Sequence, residues 1–389
     1  MAAGSGYRTS LVLLLIGAFL VRLGWVLHLP VDEKSLAVLP DQLEYLQLGR
    51  NLLHQHSLSF YDTRFGQTVY AFRTPGYPLL VAIGGANIRA IRIVQVLLDT
   101  STILATWLLA RRWLSPRACA FAAFVVAVNP FLIYFTGLLL SETLFIAMLA
   151  WGMALVSNFG GIMLLALSVM VRPSALLLPI ALVLAKPLGT GWKPVLRVLL
   201  WIAVFLFAWG YRDHRVLDRW VFGTTNGGIT LYDGFNPQAD GSSNQSFIQQ
   251  MPELRSMNET QRDAYLKQCA REFVSNHPIS ILTLGFKKIA RTWSPIPLSS
   301  EYGSRRLYVL VAAFYSIPVD LLVLWGLWSG SLPRAAKVYL MIPALYFTLA
   351  HALSVGSLRY RIPAEVPMAV IVASCKLPVA REQTAPTNN

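Results

Sequence analysis

Apolar stretches close to twenty residues long recur along this chain, separated by short basic connections. That recurrence limits the fold more than any other feature. The hydrocarbon core of a bilayer takes about 20 apolar residues to cross as a helix, and each backbone group inside it must bond within its own segment. Spans are predicted at about 11–29, 90–110, 118–134, 138–157, 195–210, 307–328, 337–352 and 362–376. The run from Gly160 to Ala185 is broken by Val171-Arg172-Pro173-Ser174. A continuous helix there would leave Arg172 in hydrocarbon, at a cost of about 2.5–3.5 kcal/mol. Two short spans meeting near Arg172 are therefore predicted, which makes ten in all. The expected fold class is an all-α polytopic membrane protein.

Charge supports this and orients it. Only 13% of residues are charged, against roughly 25% in soluble domains. The net charge of +14 is no sign of a nucleic-acid partner, because much of it sits in short loops, where Lys and Arg fix topology. With ten spans, the basic residues at 8, 111, 112, 117, 186, 193, 197, 334, 337, 376 and 381 all fall on one side, the expected cytoplasm. The opening loop, a polar excursion from Tyr211 to Arg306 and the loop Leu353–Arg361 then share the opposite side. The regions expected are an N-terminal transmembrane region 1–210 with its first outer loop at 30–78, the extracytoplasmic region 211–306, C-terminal spans 307–376 and a tail 377–389. The apolar residues beside Lys287, Lys288 and Arg291 suit a helix lying in the interface.

The first span reads as a retained helix, since no small-residue cleavage site follows it. Arg22 within it snorkels or faces the bundle. Leu79–Ile83 is too short to cross and reads as a re-entrant or interfacial piece. Cys119, Cys269 and Cys375 are scattered, which argues against a disulfide framework. His54, His56, His277 and His351 lack metal-ligand spacing. No cofactor is named with certainty, and room is left for a divalent cation. There is no internal repeat.

The stretch from Pro40 to Pro78 holds the chemistry. Asp41 opens an amphipathic helix, and Arg73-Thr74-Pro75-Gly76-Tyr77-Pro78 turns the chain back toward the membrane. A carboxylate just after a membrane exit can take the proton of an acceptor hydroxyl. The competing reading of Asp41 is an N-cap with Glu44 three residues on. Glu142, four residues into an apolar span, is a second candidate acid, or else an interfacial acid favoured by the helix dipole. Asp99 reads as a buried helix–helix contact. Arg73, Arg172, Arg359 and Arg361 lie near outer ends of spans, where Arg can bind a departing phosphate through paired hydrogen bonds or merely touch headgroups. Lys287 and Lys288 join them as weaker phosphate ligands. Asn226-Gly227-Gly228 and Tyr232-Asp233-Gly234-Phe235-Asn236 read as turns. Asn244-Gln245-Ser246 and Asn258-Glu259-Thr260 match a glycosylation acceptor pattern.

One order of motifs is telling: Asp41-x-x-x-Tyr45, Arg73-Thr74-Pro75-Gly76-Tyr77-Pro78, Asn129-Pro130-Phe131, Leu140-Ser141-Glu142-Thr143-Leu144-Phe145, Val171-Arg172-Pro173-Ser174 and Arg359-Tyr360-Arg361-Ile362-Pro363-x-x-x-Pro367. This series resembles the protein-mannosyltransferase-like and aminoarabinose-transferase-like enzymes, glycosyltransferase family 39 and its relatives, which have the GT-C fold. The resemblance runs from Leu11 to about Val372 and is weakest over Tyr211–Arg306. It implies transfer of a sugar from a polyprenyl-phosphate donor to a lipid, glycan or protein acceptor of the cell envelope, at the extracytoplasmic face of a bacterial plasma membrane. It also implies Asp41 as catalytic acid of the first loop, Glu142 as the second acid, Arg73 and Tyr77 near the donor, Arg359 and Arg361 as the terminal basic motif, and Tyr45, Tyr77 and Tyr360 as substrate contacts. Many relatives carry Asp-Glu where this chain has Asp41-Gln42. A multi-span transporter or lipid flippase is the rival from another class, and a non-catalytic assembly subunit is the third; a transporter would show inverted repeats and charges at the midplane.

Overall fold

The computed structural model describes residues 2–185 and 192–375. The expected tail 377–389 and residues 186–191 of the basic connection before the seventh span lie outside the described residues. Among the described residues, five helices are long and apolar enough to cross a membrane: Thr9–His28, Ile88–Ala110, Lys193–Leu217, Arg306–Ser329 and Arg334–Ala352. Five shorter apolar helices accompany them: Pro116–Ala127, Glu142–Ala154, Phe159–Ser168, Pro173–Leu184 and Ile362–Val372. Ten apolar helices thus stand where ten spans were expected, half of them too short to cross alone.

Two of the short helices, Glu142–Ala154 and Ile362–Val372, form the interior. All of Ile362–Val372 is buried, as a helix apolar on every face requires. The long helices carry the apolar surface that lipid would cover, with Phe314 and Trp328 among their most exposed residues. The 118–134 span is divided. Its helix ends at Ala127, and Asn129 caps a second helix, Pro130–Phe135, by accepting from the N–H groups of Phe131 and Leu132. The predicted break at Arg172 is present, between Ser168 and a 3-10 turn at Pro173.

Two charges inside the bundle pair with each other. Arg22 faces inward, fully buried, and binds the Asp99 carboxylate while also donating to Ala127 O at 2.9 Å. Asp99 is therefore a helix–helix contact, as its setting suggested.

The opening loop, the polar excursion and the loop before Ile362 meet at one end of the bundle. A two-stranded antiparallel hairpin, β1 (Phe60–Asp62) and β2 (Gln67–Val69), pairs Phe60 with Val69, a feature outside the all-α expectation. The buried Glu259 carboxylate accepts from Tyr70 N at 2.8 Å, Ala71 N at 3.2 Å and Thr225 Oγ1 at 2.7 Å, which ties the excursion to this loop. One expectation is corrected here. The segment read as turns holds a helix, Gly227–Gly234, because a Cβ on Gly228 would lie 2.3 Å from Asp263 O and glycine lets two helices touch. Asn258, whose surroundings match the acceptor pattern, caps the helix Glu259–Asn276 in a capping box with Gln261.

Candidate active site

A cavity of about 1850 Å³ opens where those three segments converge. Its wall includes Asp41, Tyr45, Arg73, Arg172, Arg359 and Tyr360. The membrane helix Arg306–Ser329 adds Leu307, Tyr308 and Val311, whereas the polar excursion adds Thr224, Ser242 and Gln245. The space is thus apolar where it meets the bundle and hydroxyl- and amide-rich where it meets the excursion.

Asp41 is placed by the helix Pro40–Gln55, which Pro40 starts and which buries Gln42, Tyr45, Leu46, Leu48 and Gly49. Gly49 is needed there, since a Cβ would lie 2.3 Å from Val81 Cγ1 of the helix Gly76–Ile83. Gln42 acts as a bolt: its Nε2 donates to Leu36 O at 3.2 Å and its Oε1 accepts from Leu139 N at 3.0 Å. A glutamate at this position could not donate to the carbonyl, which gives the Asp41-Gln42 pair a local reason. Asp41 does not cap the helix; Leu39 holds that place without a side-chain bond.

Both Asp41 oxygens are instead taken by arginines. Arg73 Nη2 donates to Oδ1 at 2.7 Å and Arg359 Nη1 to Oδ2 at 3.2 Å. Burial alone would raise the Asp41 carboxyl, but the charges of Arg73 and Arg359 outweigh it and hold it well below the usual carboxylate range. Arg73 also grips Glu44 Oε2, at 2.5 Å from Nη2 and 3.0 Å from Nε. Glu44 further meets Arg64 at 3.4 Å, and Arg64 pairs with Asp62 at 2.7 Å. Arg73 is seated by its neighbour Gly76, whose N–H donates to Met170 O at 2.9 Å. A Cβ there would lie 2.6 Å from that oxygen, so the approach brings Arg73 and the Met170–Arg172 turn together.

Glu142 is fully buried and does not line the cavity. It binds Arg359 Nε and lies 3.6 Å from Arg172 Nη2, so it backs the arginines. Arg359 stands on a 3-10 turn, Leu358–Tyr360, opened by Ser357. Tyr360 lies flat on His351 at 3.6 Å between ring centres. Arg172 projects over Tyr360 at 5.7 Å and Phe145 at 5.8 Å.

The remaining expected site residues lie elsewhere. Tyr77 is wholly buried, donating to Gln95 Oε1 at 2.6 Å behind Tyr45. Arg361 is buried in a separate cluster with Asp320 at 3.3 Å, Glu365 at 3.2 Å and Ser316 Oγ at 2.6 Å. Lys288 is buried with its ammonium 3.5 Å from the Phe235 ring centre, and Lys287 packs beside Gly241; neither lines the cavity. Arg291, one turn farther along their helix, does. Its position among basic residues at helical spacing was the available signal. Glu44, expected only as a capping partner, and Arg64, about which the sequence raised no expectation, also line the cavity. Among the described residues, no group of three or more His, Cys, Asp and Glu is placed to hold a metal ion.

No protein-family model and no curated protein matches the sequence. Three solved structures of one archaeal enzyme are similar. The apo oligosaccharyltransferase of Archaeoglobus fulgidus is 12% identical with a TM-score of 0.51, over 93% of this chain and 50% of that one. The same enzyme in complex with an inhibitory peptide and a dolichol-phosphate gives 11% and 0.48, over 93% and 50%. Tethered to an acceptor peptide containing the NVT sequon, it gives 12% and 0.49, over 93% and 49%. This chain spans about half the length of that enzyme, and at such identity the likeness is one of fold. The chain has an all-α polytopic membrane architecture, and its fold is that of the GT-C glycosyltransferases.

Proposed function

We propose that the protein is an integral membrane glycosyltransferase moving a sugar from a polyprenyl-phosphate donor to an envelope acceptor, whether lipid, glycan or protein. The reading places the reaction at the extracytoplasmic face of a bacterial plasma membrane, in the protein-mannosyltransferase-like and aminoarabinose-transferase-like group. One observation carries it: the partly exposed Asp41 carboxylate and the guanidiniums of Arg73, Arg172 and Arg359 converge on one cavity. A carboxylate beside several arginines suits displacement at an anomeric carbon with a phosphate leaving group. Asp41 takes the acceptor's proton while the arginines bear the charge that develops on the departing phosphate. No covalent sugar–enzyme intermediate is needed. The apolar wall at Leu307 and Val311 suits an isoprenoid chain, and the hydroxyl-rich wall suits a hydrophilic acceptor. Tyr45 and Tyr360 flank the reacting groups.

The test is to incubate the purified protein with a panel of polyprenyl-phosphate hexoses and pentoses and to follow release of free polyprenyl phosphate. Release that depends on Asp41, with one sugar preferred, is the expected result. A panel that yields none in the presence of lipid, glycan and peptide acceptors would remove the reading.

A further inference from the structure

The carboxylate assigned as base is fully engaged by cations. With Arg73 on Oδ1 and Arg359 on Oδ2, a proton reaching Asp41 would displace a charge-assisted bond. The neighbourhood is also balanced in charge. Arg73, Arg172 and Arg359 are paired with Asp41, Glu44 and Glu142, while Arg64 and Asp62 add one charge of each sign. A phosphate entering beside Asp41 therefore meets arginines that are each already paired, until one pair opens.

The pair most able to open is Arg359 with Asp41. Of the three arginines paired with Asp41 or Glu142, Arg359 is the most exposed, at 26% against 17% for Arg73 and 10% for Arg172. Its bond to Asp41 is the longer of that carboxylate's two, 3.2 Å against 2.7 Å. It is also anchored from behind, through Nε, by buried Glu142. Glu142 Oε2 and Arg172 Nη1 are buried without a hydrogen-bond partner, so the anchor has capacity to spare.

We propose that Arg359 is shared between base and donor: its terminal nitrogens leave Asp41 for the donor phosphate while Glu142 keeps Nε, so that donor binding uncovers Asp41 Oδ2. This rests on the glycosyltransferase reading above. The acceptor oxygen then forms its bond to the anomeric carbon as its proton passes to Asp41. The bond from that carbon to the phosphate oxygen breaks, and its electron pair leaves on the phosphate, which Arg359 now faces. When the polyprenyl phosphate departs, Arg359 returns to Asp41 and the proton goes to water. The same guanidinium thus orders donor before acceptor and resets the base. Around Asp41 stand Arg73 from the loop, Glu44 and Tyr45 from its own helix, Arg359 and Tyr360 from the turn, and Glu142 behind them. With Arg359 turned away, Arg73 is the one cation still bonded to Asp41. Glu142 is on this account a positioning residue that acts through Arg359.

The full chain in lipid nanodiscs provides the test. The protonated-carboxyl infrared band of Asp41, assigned as the band lost in Asp41→Asn, is titrated from about pH 6 downward to well below the ordinary carboxylate midpoint of about 3.9, with and without decaprenyl monophosphate. Lipid binding is measured on the same samples. The expected result is binding, with the Asp41 midpoint moved up by about 1–2 pH units, the size of one lost cationic neighbour. In Arg359→Gln the midpoint should already be high, with little further movement on adding lipid. Binding with an unmoved midpoint would overturn the sharing of Arg359 and leave the glycosyltransferase reading intact. Absence of binding would overturn both.

Discussion

Arg361 Nη1 lies 3.3 Å from Asp320 Oδ2, outside the cavity that Arg359 lines only two residues earlier. The two arginines of one short motif therefore serve different ends. Arg359→Lys keeps a cation beside Glu142 but loses the planar fork, and sugar transfer should fall by about 10²-fold, as when one oxyanion donor is removed. Arg361→Lys should transfer at close to the wild-type rate. Arg361→Ala leaves buried Glu365 without its cation and should cost about 3–5 kcal/mol of stability, read from chemical unfolding. Equal inactivity of the two Lys variants would show that Arg361 reaches the donor.

Asp41 makes no capping bond, so Asp41→Asn and Asp41→Ala should leave the helix Pro40–Gln55 equally stable. Both should lose at least about 100-fold in transfer, the usual share of a general base. Each also frees Arg73 and Arg359, and polyprenyl phosphate should bind about tenfold more tightly, a difference of about 1.4 kcal/mol. Equilibrium binding of decaprenyl monophosphate checks this. Weaker binding by Asp41→Asn would count against the arginines as the phosphate site.

Lys288 gives a pH signature. Burial pulls its ammonium from the ordinary 10.5 down to about 8, against the opposing charge of Asp233. The folded value lies below the unfolded one, so between them the unfolded chain binds more protons. Stability should then rise with pH from about 8 to about 10, on the order of 1 kcal/mol per unit. Lys288→Met should abolish that rise, with the difference between the two proteins largest at pH 7. A parallel pair of unfolding profiles would mean that Lys288 titrates normally.

Topology has a direct check. In a background without cysteine, thiols introduced at the exposed positions Thr68 and Ser256 should react with an impermeant reagent from outside. Thiols at the exposed positions Ser115 and Ser331 should be protected until the membrane is permeabilised. The reverse pattern would put the cavity on the cytoplasmic face.

The membrane class and most apolar helices were legible because apolar length is a local property. The break at Arg172 was legible for the same reason, since proline and an unpaired charge act where they stand. What stayed hidden depends on partners far along the chain. Glu142 looked like a second acid facing the substrate, yet its place behind Arg359 is set by a contact spanning 217 residues. Asp41 and Glu44 fit a capping box by spacing, but two arginines claim them; Asn258 and Gln261 form the real one. The hairpin at Phe60–Val69 is two three-residue strands, too short for alternation to show.

The Arg22–Asp99 pair joins the first long helix to the second. Taken singly, each helix would enter the membrane with a bare charge, at about 2.5–3.5 kcal/mol apiece on insertion scales. Taken as a hairpin, they cancel it. The first two membrane helices thus have reason to wait for one another and leave the insertion machinery as a couple, and Asp99→Ala would show its effect at birth, in the fraction of chains inserted, before any catalysis begins.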